Sequence, residues 1–137
     1  MGKPLSVLLI EDSEDDATLI VHELEHGGYE VDFERVDDTA SVRKAIAKRE
    51  WDIILSDHAM PKSCALEALS EVKAAGIKSP FIVVSGWMTD DLAKSALKEG
   101  ACGFVPKNKL AKLVPMIEAE LDKSHASKKK PAKKKKS

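Results

Sequence analysis

Five short runs of apolar and β-branched residues alternate along this chain with segments whose apolar residues recur every three to four positions, and few architectures accept that alternation. The first run, Leu5 to Ile10, is apolar at nearly every position. Such a run suits a strand covered by helices on both faces, which βαβ crossovers around a parallel sheet provide. Ser13 then caps a helix that places Glu14, Asp15 and Asp16 in its first turn, where negative charge favours the helix dipole. Ala17, Ile20, Val21 and Leu24 form its buried stripe, and Gly27-Gly28 stops it. Val31 to Val36 alternates apolar with charged residues, the pattern of an edge strand. Asp38 or Thr39 caps a second helix carrying Val42, Ala45 and Ile46.

The alternation continues with a third strand, Trp51 to Ser56, then Pro61 and a helix with Leu66, Leu69 and Val72 that ends at Gly76. Phe81 to Val84 is the fourth strand, and Thr89 or Asp90 opens a helix whose Leu92, Ala96 and Leu97 lead to Gly100. Phe104-Val105 is a short fifth strand before a last stripe of Leu110, Leu113, Val114, Ile117 and Leu121. Pro115 inside that stripe either bends the helix or marks its first turn.

A chain of 137 residues has room for one such domain, expected over residues 1–125. No apolar run approaches the roughly 18 residues of a membrane span, and no apolar stretch follows the N-terminus as in a signal peptide, so the expected compartment is the cytoplasm. Cys64 and Cys102 are too few for a zinc cluster or a disulfide framework and read as two reduced, partly buried thiols. Seven of the 22 basic residues fall between Lys128 and Lys136, which leaves 15 against 23 acids and an acidic body. Residues 126–137 have no apolar face to bury, repel themselves and read as a disordered tail. Solubility, salt-dependent attraction to nucleic acid or an anionic membrane, and docking onto the acidic body all fit that composition. With no aromatic interleaving and no DNA-binding motif, sequence-specific DNA binding is not expected.

Chemistry-bearing residues cluster where the apolar runs stop: Glu11 and Asp12 after the first, Asp57 after the third, Ser85 after the fourth, and Lys107 after the fifth. Ligands of open parallel sheets bind outside the carboxyl ends of the strands, so these residues can meet in one crevice. Like charges about 4 Å apart repel by roughly 4 kcal/mol at an effective dielectric of 20, so three such carboxylates would raise a pKa or recruit a cation. Oxygen ligands alone suit Mg²⁺ or Mn²⁺. Asp57 is then placed to attack phosphorus, with Lys107 as a point charge and Ser85 as a hydroxyl donor on the phosphoryl oxygens, giving an aspartyl phosphate.

Four motifs carry a resemblance over about Leu5 to Leu121: Val7-Leu-Leu-Ile-Glu-Asp12, Asp57-x-x-Met60-Pro61, Val83-Val84-Ser85-Gly86, and Gly100-Ala101-x-Gly-Phe-Val-Pro-Lys107. Together they resemble the receiver domain of two-component response regulators. The resemblance implies a flavodoxin-like, doubly wound (βα)5 fold with parallel strands in the order 2-1-3-4-5. It implies that Asp57 accepts a phosphoryl group from the phosphohistidine of a sensor histidine kinase or phosphotransfer protein. Glu11, Asp12, Asp57 and the backbone carbonyl of Ala59 would hold the metal, and Ser85 and Lys107 would contact the phosphoryl oxygens. Ser85 and Phe104 would form the switch, altering the surface of the fourth helix, fifth strand and fifth helix where a downstream protein docks. Such a domain is a phosphoacceptor that assists its own phosphorylation and dephosphorylation, and is not an enzyme in the ordinary sense.

The sequence departs from the family pattern at several points. Cys64-Ala65 stands where receivers usually have Asp-Gly, Asn108 rather than proline follows Lys107, and Phe104 replaces the commoner tyrosine. The Lys107-Asn-x-Leu110 ending is more like receivers that stand alone or accompany sensor kinases than those that drive transcription. With no effector domain after residue 121, the expectation is a stand-alone receiver signalling through protein contacts, with homodimerisation open. The alternative is a phosphorylation-independent scaffold whose basic tail binds nucleic acid or membrane. A phosphohydrolase of the haloacid dehalogenase type wants an acid at position 59, which is Ala, and a flavodoxin wants a Ser/Thr/Gly-rich loop after the first strand. His58 reads as an exposed loop residue and Trp51 as packing, while Trp87 fits a rim shield, a docking anchor or loop packing.

Overall fold

A computed structural model describes residues 3–57, 65–86 and 90–129. Among these residues five strands, β1 (Lys3–Ile10), β2 (Tyr29–Val36), β3 (Ile53–Ser56), β4 (Phe81–Ser85) and β5 (Gly103–Pro106), form one parallel sheet in the order β2-β1-β3-β4-β5. That is the expected order, with its reversal beside β1. Among the described residues, five helices connect and follow the strands: α1 (Glu14–His26), α2 (Thr39–Lys48), α3 (Ala65–Ala74), α4 (Asp90–Glu99) and α5 (Leu113–Lys129).

Side chains alternate across a strand, and here both faces are buried, so each central strand feeds two cores. Leu5, Val7 and Leu9 of β1 join Ile53, Leu55, Ile82, Val84 and Val105 under the stripes of α1 (Ala17, Ile20, Leu24) and α5 (Leu113, Ile117). Leu8 and Ile10 join Ile54, Phe81 and Val83 under residues of α2, α3 and α4, among them Val42, Ala45, Leu69, Val72 and Ala96. This double coverage explains the almost uninterrupted apolar sequence of β1. In β2 only Tyr29 and Val36 are buried, as its mixed sequence predicts for an edge. Asp32 and Glu34 of that strand pair with Arg49 and Lys48. At the other margin β5 is four residues long and ends in Pro106.

Local signals set the boundaries. Ser13 and Asp38 cap α1 and α2 through side-chain oxygens that accept from the N–H groups of Asp16 and Ser41. Gly28, at φ 99°, takes the left-handed conformation that turns the chain from α1 into β2. Trp51 is buried, donates its indole N–H to the Ala45 carbonyl at 3.0 Å and carries the Arg49 guanidinium 4.5 Å above its ring, a packing role. Pro115 stands third in α5, in the first turn, where its missing N–H has no intrahelical acceptor to lose. The six residues before α5, Lys107–Lys112, form a 3-10 helix instead.

Cys102 is exposed, not partly buried as expected. Its N–H donates to the Phe81 carbonyl, and with Ala101 and Gly103 buried on either side, position 102 alternates outward. Cys64, His58, Trp87 and Thr89 lie outside the described residues. The α5 backbone runs to Lys129, past residue 126 where the tail was expected to begin, and residues 130–137 also lie outside the described residues.

Candidate functional site

The carboxyl ends of β1 and β3 are neighbours in the sheet, with Ile10 paired to Ser56, so Glu11 and Asp57 leave adjacent strands at the same level. Backbone bonds hold both positions: Glu11 N–H donates to the Val36 carbonyl at 2.8 Å and Asp57 N–H to the Ile10 carbonyl at 2.9 Å. Pairing of Ser85 with Pro106 likewise brings Lys107 beside the end of β4. The lysine stem passes over Gly86, where an added Cβ would lie 3.7 Å from Lys107 Cδ. Glu11, Asp57 and Ser85 are buried and Asp12 is exposed. Phe104, the expected switch aromatic, is half-buried against the core beneath α2, α3 and α4. Ala59, whose carbonyl was expected to bind metal, lies outside the described residues.

One ammonium serves three carboxylates. Lys107 Nζ lies 2.6 Å from Asp16 Oδ2, 2.7 Å from Glu11 Oε1 and 3.1 Å from Asp57 Oδ2. The contacts to Asp16 and Asp57 are hydrogen bonds. The contact to Glu11 is an ion pair outside hydrogen-bond geometry, which leaves Oε1 a buried oxygen with no hydrogen-bond donor. Burial opposes the charge on Lys107, but Asp16, Glu11 and Asp57 outweigh it and hold the ammonium above the usual lysine range. Burial pushes the Glu11 carboxyl up to about 7; Lys107 pulls it down, Asp57 adds to the rise, and the Ser13 N–H opposes it.

One carboxylate oxygen from each of Glu11, Asp12 and Asp57 lies within 4.8 Å of the others. An all-oxygen donor set with an unbonded, buried Glu11 oxygen fits a hard divalent cation such as Mg²⁺ or Mn²⁺. A cation there would relieve the carboxylate repulsion that a single ammonium meets only in part.

Two residues at the site were not assigned to it from the sequence. Asp16 was read as a helix-dipole residue, yet it makes the shortest contact to Lys107. Arg35, at the end of β2, donates from Nη1 to the Glu11 carbonyl at 3.1 Å and pairs with Glu14 at 3.4 Å, tying the acidic loop to the sheet edge. The alternation of β2 placed Arg35 at a strand end, but no local signal aimed it at the loop.

Residues 7–118 match the family model of the response regulator receiver domain. The chain belongs to that family. Among curated relatives, this receiver is 30% identical over 107 residues to the chemotaxis protein CheY of Treponema pallidum, covering 77% of this chain and 74% of that protein. It is 24% identical over 106 residues to the transcriptional regulatory protein ZraR of Klebsiella oxytoca and 28% over 102 residues to the DNA-binding transcriptional regulator NtrC of Rhizobium meliloti. Those matches cover 77% and 74% of this chain but only 24% and 21% of the two regulators, so the chain spans less than a quarter of their length.

Solved structures share the fold. The receiver domain of Francisella response regulator 1452 superposes with a TM-score of 0.76 at 21% identity, covering 88% of this chain and 98% of that one. The receiver domain of a Pseudomonas aeruginosa sensor histidine kinase, solved with a magnesium ion in its active-site cleft, gives 0.72 at 24% identity, covering 89% and 99%. Receivers are signalling domains of two-component systems; phosphorylation on aspartate is general for the family, and its members bind Mg²⁺ in the acidic site and interact with histidine kinases or phosphotransfer proteins. Among the described residues no helix is long and apolar enough to cross a membrane.

Proposed function

We propose that this receiver accepts a phosphoryl group on Asp57 from the phosphohistidine of a sensor histidine kinase or phosphotransfer protein and passes the signal on through protein contacts. The observation that carries the reading is the position of Asp57: a buried carboxylate at the end of β3, 3.1 Å from the Lys107 ammonium and within one oxygen cluster with Glu11 and Asp12. In the transfer, an Asp57 oxygen forms the new bond to phosphorus while the phosphorus–nitrogen bond breaks, and the imidazole leaves with that electron pair and takes up a proton. Glu11, Asp12, Asp57 and the Ala59 carbonyl would hold Mg²⁺, which supplies charge neutralisation on the phosphoryl oxygens. Lys107 holds positive charge beside the reacting carboxylate, and Ser85, buried at the end of β4, offers a hydroxyl.

Ser85 and Phe104 form the switch in this reading, and a downstream protein docks on α4, β5 and α5. Residues 1–125 make up the receiver, residues 126–137 a basic tail without sequence-specific DNA binding, and the cytoplasm is the compartment. Similarity to CheY across three-quarters of that protein supports signalling as a single domain.

The test is incubation with acetyl phosphate in the presence and absence of Mg²⁺, read by intact mass, with beryllium fluoride as a second probe read by tryptophan fluorescence. A Mg²⁺-dependent gain of one phosphoryl mass in wild type and none in Asp57→Asn is the expected result. A gain that survives Asp57→Asn overturns the assignment, as does no gain from either acetyl phosphate or a phosphorylated kinase.

A further inference from the structure

Asp16 lies outside the acidic triad, yet its carboxylate is the closest of the three that surround Lys107 Nζ, at 2.6 Å. A lysine ammonium has three donors, and the two that make hydrogen bonds here go to Asp16 and Asp57. Phosphorylation would convert the Asp57 carboxylate into an acyl phosphate, a mixed anhydride, and a cation on the triad would draw the charge of Glu11 away from the lysine. Asp16 takes part in neither change, so its claim on Lys107 persists through both.

The position of Asp16 is itself secured by the α1 cap. Its N–H donates to Ser13 Oγ at 3.2 Å, and the Ser13 N–H donates to Glu11 Oε2 at 3.2 Å. One cap residue thus fixes a metal-site carboxylate on one side and the lysine's partner on the other. A phosphoryl oxygen must compete with Asp16 for the Lys107 ammonium, and the negative charge of Asp16 opposes an incoming phosphoryl donor.

We propose that Asp16 is a positioning residue that restrains the Lys107 ammonium and thereby slows phosphoryl transfer to Asp57. This role rests on the acceptor activity proposed above. Removing the charge leaves Lys107 free to follow the phosphoryl oxygens. The Asp16 side chain is 37% exposed, so solvent screens part of its charge and the effect is moderate.

The test compares wild type, Asp16→Asn and Asp16→Glu in reaction with acetyl phosphate and Mg²⁺ over a range of donor concentrations and ionic strengths. In that reaction the Asp57 oxygen–phosphorus bond forms, the phosphorus–oxygen bond to the acetyl group breaks, and acetate leaves with the electron pair. Asp16→Asn, which keeps the size and an acceptor oxygen, is expected to react about fivefold faster at low salt, the scale of one partly exposed charge pair. The gain should shrink as salt rises, whereas a structural effect would not, and Asp16→Glu should restore the wild-type rate. Equal or slower reaction of Asp16→Asn overturns the restraining role while leaving Asp57 as acceptor. Absence of any Asp57-dependent mass gain in all three proteins overturns the acceptor assignment and this role with it.

Discussion

Replacing Glu11 by Gln separates the cost of a buried charge from the benefit of its lysine partner. Glu11 is 1% exposed, and its carboxyl is pushed from 4.5 up to about 7. A carboxyl that holds its proton more tightly in the folded chain stabilises the fold fully below about pH 4.5, and that contribution is lost as the pH rises through about 7. At roughly 1.4 kcal/mol for each tenfold change in proton affinity, ionised Glu11 costs the metal-free protein about 3 kcal/mol at about pH 8.5. Gln escapes that cost but gives up about 1 kcal/mol between the charge-assisted hydrogen bond from the Ser13 N–H and the ion pair with Lys107. Net stabilisation of about 2 kcal/mol is expected at about pH 8.5, several degrees in Tm for a chain of this size, and none at about pH 5. Urea unfolding in chelator at the two pH values measures it. Saturating Mg²⁺ should reverse the order at high pH, because the cation binds the wild-type carboxylate better. A Gln variant less stable than wild type at high pH in chelator would show that the Lys107 pairing outweighs burial, refuting the argument.

Other perturbations probe the same neighbourhood. Lys107→Met removes the counter-ion of Asp16, Glu11 and Asp57 and should destabilise the metal-free protein at about pH 8 by about 3 kcal/mol, with Mg²⁺ recovering most of it in urea titrations; an unchanged midpoint would mean that solvent already screens the cluster. Ser13→Ala should cost about 1 kcal/mol through loss of the α1 cap, and hydrogen exchange should speed up at the Asp16 amide before the rest of the helix. Gly27→Ala would bring a Cβ to 2.7 Å from Val114 Cγ2, and a loss of about 1 to 3 kcal/mol by thermal melting is expected; no loss would mean that α5 moves aside freely.

Where a signal depends on neighbours in sequence, the chain discloses its structure. The Ser13 and Asp38 caps, the stop at Gly27-Gly28 and the apolar run of β1 are all local, and each lies where the pattern puts it. Crossover topology then brings Glu11, Asp57, Ser85 and Lys107 to one end of the sheet, because a parallel sheet admits no other place for its strand ends. Asp16 was legible as a first-turn acid but not as a partner of a lysine 91 residues away, since that contact depends on how α1 sits against the start of the 3-10 segment. The exposure of Cys102 followed from its register in the turn before β5, which composition does not carry. The fit between Gly27 and Val114 depends on how α5 sits against the end of α1, a contact between segments far apart in the chain.

The two margins of the sheet differ in how each is closed to a further strand. β2 presents alternating charges along its open edge, whereas β5 is too short, and ends in a residue without an N–H, to template another strand. Both devices block edge-to-edge growth, one by electrostatic repulsion and the other by withholding hydrogen-bond donors. Strand addition, a route to irreversible aggregates, is thereby disfavoured at both margins of the sheet.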